Sequence, residues 1–241
     1  MRNLGFAKDV DQARFADRLD AFRLVQQNFA ARTGQPGVAG HGTVYDKAPR
    51  LMRSPLAKAF DIKDEPESAR RLYGDTDFGR GCLMARRLVE AGVKFVEVTL
   101  DGWDTHYDNF TQVKHLTADL DPAMAALLRD LADRKRLDDT LVICMGEFGR
   151  SPQITPGEGR DHHPAASSAL LAGGGIRGGQ AYGSTDAEGA KPADNPVTVP
   201  NFFATLATLL GMDPDKEKVS PVGRSIAITD RGRPVKGLIA G

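Results

Sequence analysis

Val93-Lys94-Phe95-Val96-Glu97-Val98-Thr99-Leu100, followed at once by Asp101-Gly102-Trp103-Asp104-Thr105-His106, is the stretch on which the reading of this chain turns. Its counterpart further along is Thr140-Leu141-Val142-Ile143-Cys144-Met145, followed by Gly146-Glu147-Phe148-Gly149-Arg150 and then by Gly159-Arg160-Asp161-His162-His163-Pro164. Both apolar runs have the length and composition of strands, and each gives way to a dense polar cluster. Ligands of open α/β sheets bind just outside the strand ends. The two clusters therefore predict one site.

Outward from this stretch, helices are expected on either side. Phe78, Cys82, Ala85 and Val89 recur at helical spacing over about 77–91, and Gly92 supplies the stop. Leu120, Met124, Leu127, Leu128 and Leu131 predict a long helix over about 117–135, with Arg134, Lys135 and Arg136 near its negative end. Ser168 to Ala172 is a further apolar segment, running into the glycine-rich Gly173–Gly179 loop. Residues 183–198 read as loop and Val199 to Leu210 as a last helix. Strands alternating with helices point to an α/β layered domain with a mostly parallel sheet. Residues 77–211 form its core and the whole chain, 1–241, one domain.

The opening is different. Residues 1–75 read as a helical and irregular lead-in without a strand. Phe15, Leu19, Phe22, Val25 and Phe29 mark a helix over 11–30, read as core contact. Residues 33–50, rich in Gly and Pro, read as an irregular connection carrying an exposed His41. Helical stretches are expected at about 50–60 and 65–72.

Composition narrows the function classes. The 32 basic and 32 acidic residues balance, so no global field draws nucleic acid or an anionic membrane. No apolar run approaches the roughly 18 residues of a membrane span. The segment Met1 to Asp9 lacks the apolar core of an export signal, which as written keeps the chain in the cytoplasm. Cys82 and Cys144 sit in apolar runs and read as buried thiols.

The clusters fit an open metal site. Carboxylate oxygen with imidazole nitrogen suits zinc, manganese or iron. Asp104 and His106 lie two residues apart and face one way if the segment is extended. Glu147 follows the second strand, and Asp161-His162 comes after an excursion able to fold back. Asp104, His106, Glu147, Asp161 and His162 are the expected ligands, ahead of His115 and His163. Arg150 and Arg160 flank the second cluster, and a planar guanidinium beside a divalent ion suits a phosphate or sulfate oxygen. The plainer reading makes these groups loop caps and ion pairs. The Gly173–Gly179 loop lacks the spacing of a phosphate cradle and reads as a close backbone approach. Ser151 and Thr105 carry no mark of activation.

Four motifs in order, Gly102-Trp103-Asp104-Thr105-His106, Gly146-Glu147-Phe148-Gly149-Arg150-Ser151-Pro152, Gly159-Arg160-Asp161-His162 and Gly173 to Gly179, resemble the bacterial family catalogued as domain of unknown function 1501. Tyr73-Gly74, Ala85 to Gly92 and Tyr182 to Asp186 also resemble it. Through its relation to sulfatases and the alkaline phosphatase superfamily, the resemblance implies a three-layer α/β/α sandwich lacking its N-terminal strands. It implies a divalent metal held by the five ligands named above, and a hydrolase acting on small anionic phosphate or sulfate esters. The superfamily often carries Asp-His where this chain has Glu147-Phe148, which changes one ligand. A nucleophile-bearing strand is expected in such proteins, and none precedes residue 93. The chain thus resembles the C-terminal portion of a longer, exported protein of the periplasm or cell envelope. The alternative is a non-catalytic remnant or binding module.

Overall fold

The structure, a computed structural model, describes residues 5–34 and 37–241. Residues 1–4, part of the opening read as lacking an export core, and residues 35–36 of the expected irregular connection lie outside it. The architecture is mixed α/β, with helices and small antiparallel sheets. It divides into two compact units, residues 1–67 with 87–96, and residues 68–86 with 97–241.

In the first unit, α1 (Gln12–Thr33) begins on the Asp11 side chain, which accepts from Arg14 N at 2.8 Å. It is followed by α2 (Gly37–Arg53), where the sequence reading expected irregular chain. Gly and Pro there mask a helix that carries His41 on its exposed side, against Tyr45. Phe22 stacks on Tyr45 at 4.2 Å, and Arg23 pairs with Asp46 at 2.8 Å. The expected apolar stripe is covered only in part. Phe15, Leu19 and Phe22 are half-buried, whereas Val25 and Phe29 are exposed, because a helix packed on one partner buries a narrow strip. Two 3₁₀ segments, Pro55–Phe60 and Ile62–Asp64, follow. Arg87 ties them down by donating to the Ala59 and Lys58 carbonyls and pairing with Glu65 at 2.5 Å.

Helix α3 (Glu67–Leu72) and α4 (Asp77–Glu90) lie where the sequence placed them. Phe78, Cys82, Leu83, Ala85 and Leu88 are buried on α4. Gly92, at φ +90°, ends it with Val93 N on Leu88 O, a left-handed stop that favours glycine. Burial pushes the Cys82 thiol up to about 12, with Cys144 adding to the effect.

Residues 93–100, expected as a strand, alternate in exposure over 95–100 but form no ladder among the described residues, where the backbone of 94–100 makes no backbone–backbone hydrogen bond. Helix α5 (Asn109–Asp133) starts earlier than its periodicity suggested, directly behind the first polar cluster. Its Ala123, Ala126, Leu127 and Leu131 are buried, and Asp130 accepts from Tyr73 Oη at 2.8 Å beside Arg86 at 3.3 Å.

Among the described residues the first strand is β1 (Val142–Met145). The chain then forms β2 (Gly149–Arg150), β3 (His162–His163) and β4 (Ala169–Ala172). β1 pairs with β4 antiparallel, Cys144 facing Leu170, and β2 pairs with β3 antiparallel. These ladders differ from the mostly parallel sheet expected. Parallel neighbours need a crossover of a dozen or more residues, usually helical. The 146–168 excursion holds no helix and turns straight back. The Gly173–Gly179 loop closes on Leu137 and Leu141, the close backbone approach read from its sequence.

Beyond it, β5 (Ser184–Thr185) and β6 (Pro192–Asp194) form a hairpin in the expected loop. Helix α6 (Val199–Leu209) is capped by Thr198, and β7 (Glu217–Val219) pairs with β8 (Ser225–Ala227). No helix among the described residues is long and apolar enough to cross a membrane.

Candidate metal centre

The centre begins with alternation at Asp104-Thr105-His106. Thr105 turns inward, 1% exposed, and its Oγ1 accepts from Asn109 Nδ2 at 2.5 Å in the first turn of α5. Asp104 and His106, on either side, come together through two tight turns rather than the extended run expected: Thr105 N donates to Trp103 O at 2.9 Å and His106 N to Asp104 O at 3.1 Å. His106 Nδ1 stands 3.1 Å from Asp104 Oδ1.

The second cluster reaches the first because the excursion folds back along it. Asp108 N donates to Gly157 O, Asn109 N to Glu158 O, and Arg160 N to Thr105 O at 3.1 Å. Gly159 makes this possible. A Cβ there would stand 1.7 Å from His106 O, so no larger residue fits without moving the backbone.

The register of β2 and β3 then sets Arg150 opposite His162. Directly opposed residues share a face, and both reach Asp104. Arg150 Nη2 donates to Asp104 Oδ1 at 2.6 Å, and His162 Nε2 lies 2.8 Å from the same oxygen. The His162 ring is held between His106 and Phe148, at centroid distances of 4.9 and 4.4 Å. Three cationic or polar groups therefore converge on one carboxylate oxygen. Arg150 first, then His162, hold the Asp104 carboxyl at about 2, well below its ordinary value of 3.8.

Asp104 Oδ1 and one nitrogen each of His106 and His162 lie within 4.8 Å of one another. Two imidazole nitrogens with one ionised carboxylate, on a face open to solvent, fit a divalent transition ion with coordination positions to spare. The donor set is chemically sound for such an ion.

The other expected ligands do not join the group. Asp161, just before β3, is exposed and stands outside the group. Glu147 is exposed in the turn before β2. His115 is exposed on α5, and His163 Nε2 is engaged by Ala190 O at 2.6 Å. Arg160 donates to the Ser151 and Pro152 carbonyls, at 2.6 and 2.9 Å, and lies over the Phe110 ring. It supports the excursion. Arg150 faces the centre.

The sequence model of the family described as "Protein of unknown function (DUF1501)" matches residues 1–239. The chain belongs to the DUF1501 family. No curated protein and no solved structure matches it. Within this DUF1501 chain, sequence reasoning missed Asn109, which anchors Thr105, and Phe148, which braces His162. The i,i+4 spacing of Thr105 and Asn109 was the available signal for the first. For the second, Phe148 sits beside the β2 register that brings Arg150 to His162.

Proposed function

We propose that this DUF1501 chain is a metal-dependent hydrolase domain of sulfatase and alkaline phosphatase type, acting on small phosphate or sulfate esters. The reading includes a three-layer α/β/α design of that superfamily. The observation that carries it is the convergence of Asp104 Oδ1, His106 Nδ1 and His162 Nε2 beside the Arg150 guanidinium.

A divalent ion held there would supply Lewis-acid chemistry and a water of lowered pKa. The chain's own residues do the rest. His106 and His162 offer ring nitrogens, Asp104 offers a carboxylate that stays ionised, and Phe148 fixes the plane of His162. Arg150 brings a planar pair of donors suited to two oxygens of a tetrahedral anion.

One observation favours the rival reading, a metal- and anion-binding module without turnover. Two hydroxyls next to the centre's residues in sequence are committed: Thr105 is buried on Asn109, and Ser151 Oγ donates to Gln153 O at 2.6 Å. A steady-state assay of aryl phosphate and aryl sulfate hydrolysis with added zinc or manganese separates the two. Turnover that disappears in His162→Ala supports the hydrolase. Metal and sulfate binding without turnover supports the module.

A further inference from the structure

The contact between Arg150 and Asp104 uses the same oxygen that the metal would need. We propose that Arg150 is an internal competitor for the divalent ion, and that the ion, by taking Asp104, frees the guanidinium to bind the anion. The inference rests on the metal-centre reading above and assigns its regulation.

Asp104 Oδ1 receives Arg150 Nη2 at 2.6 Å, His162 Nε2 at 2.8 Å and His106 Nδ1 at 3.1 Å. A carboxylate oxygen offers two lone pairs. A cation bound by both imidazoles and this oxygen takes one of them and places a second positive charge beside the guanidinium. Like charges at such separation repel, so each weakens the other's hold on Asp104.

Arg150 is not free to leave the site altogether. Its Nη1 donates to Arg160 O at 3.1 Å, and its side chain is 21% exposed. The backbone under it is pinned by the β2–β3 ladder. Displaced from Asp104, it keeps that anchor and turns unpaired donors toward the open face. An oxyanion then finds both the ion and a guanidinium without its internal carboxylate partner. Metal and anion binding become coupled, and the coupling is reciprocal.

The test is a titration of the full chain with Mn²⁺, followed by water-proton relaxation, with inorganic sulfate as the anion probe. Arg150→Met and Arg150→Gln are compared with the wild type, each checked for cooperative thermal unfolding. Removal of the competitor is expected to tighten Mn²⁺ by about tenfold in both variants, within the range usual for coupled sites, while weakening sulfate. A merely structural role for Arg150 would move both affinities the same way. Equal or weaker Mn²⁺ binding in a folded variant overturns the competition and leaves the metal centre standing. A wild type that binds no Mn²⁺ overturns both.

Discussion

At the residue scale the centre is decided by Asp104. Its Oδ1 is the one atom that Arg150, His162 and His106 all approach. Because Arg150 first and His162 next lower its pKa to about 2, the charged form persists below the ordinary carboxylate range. The sign follows from linkage. The stabilisation of the ionised form is present above the unfolded-state pKa of about 3.9 and is lost as pH falls through the folded value. In carbon-detected NMR on chelator-treated protein, the Asp104 carboxyl is expected to titrate near 2 in the wild type and to move upward in Arg150→Met. An unchanged midpoint in the variant would remove Arg150 as the cause. The ligand types and Arg150 were legible in the sequence at this scale. Their exact partners were not, because Arg150 meets His162 through a two-residue register that no propensity encodes.

At the element scale, helices were the legible part. α3, α4, α5 and α6 announce themselves by apolar period and by stops such as Gly92. α2 did not, since Gly37, Gly40, Gly42 and Pro49 lower its apparent propensity while its packing on α1 overrides that preference. The segment 93–100, expected as a strand, has a strand's alternation of exposure over 95–100 but forms none, because pairing is a non-local property that its own residues do not carry. Its backbone groups lack hydrogen bonds among the described residues. Amide exchange by mass spectrometry is therefore expected to show 94–100 exchanging far faster than the interior of α5. Protection of 94–100 equal to that of α5 would mean that those amides have partners.

At the scale of the whole molecule, stability concentrates where burial and charge coincide. Tyr73, 1% exposed, donates to Asp130, which also neighbours the buried Arg86. Loss of a hydrogen bond to a charged group costs about 1.5–3 kcal/mol, so Tyr73→Phe is expected to lower the urea midpoint with m unchanged. Arg23→Ala breaks the Asp46 pair on a surface that leaves both side chains nearly half exposed, and screening keeps its effect on the midpoint smaller than that of Tyr73→Phe. Equal midpoint shifts for the two variants would contradict this ranking. Larger than any of these contacts is the fold-back of residues 155–162 onto residues 104–109, which brings Asp104, His106 and His162 together as a candidate metal centre. Metal analysis of the purified wild type and of Asp104→Ala tests it most directly. About one equivalent of zinc, manganese or iron is expected in the wild type and its loss in the variant; a wild type holding less than about a tenth of an equivalent after incubation with these ions would contradict a metal centre here.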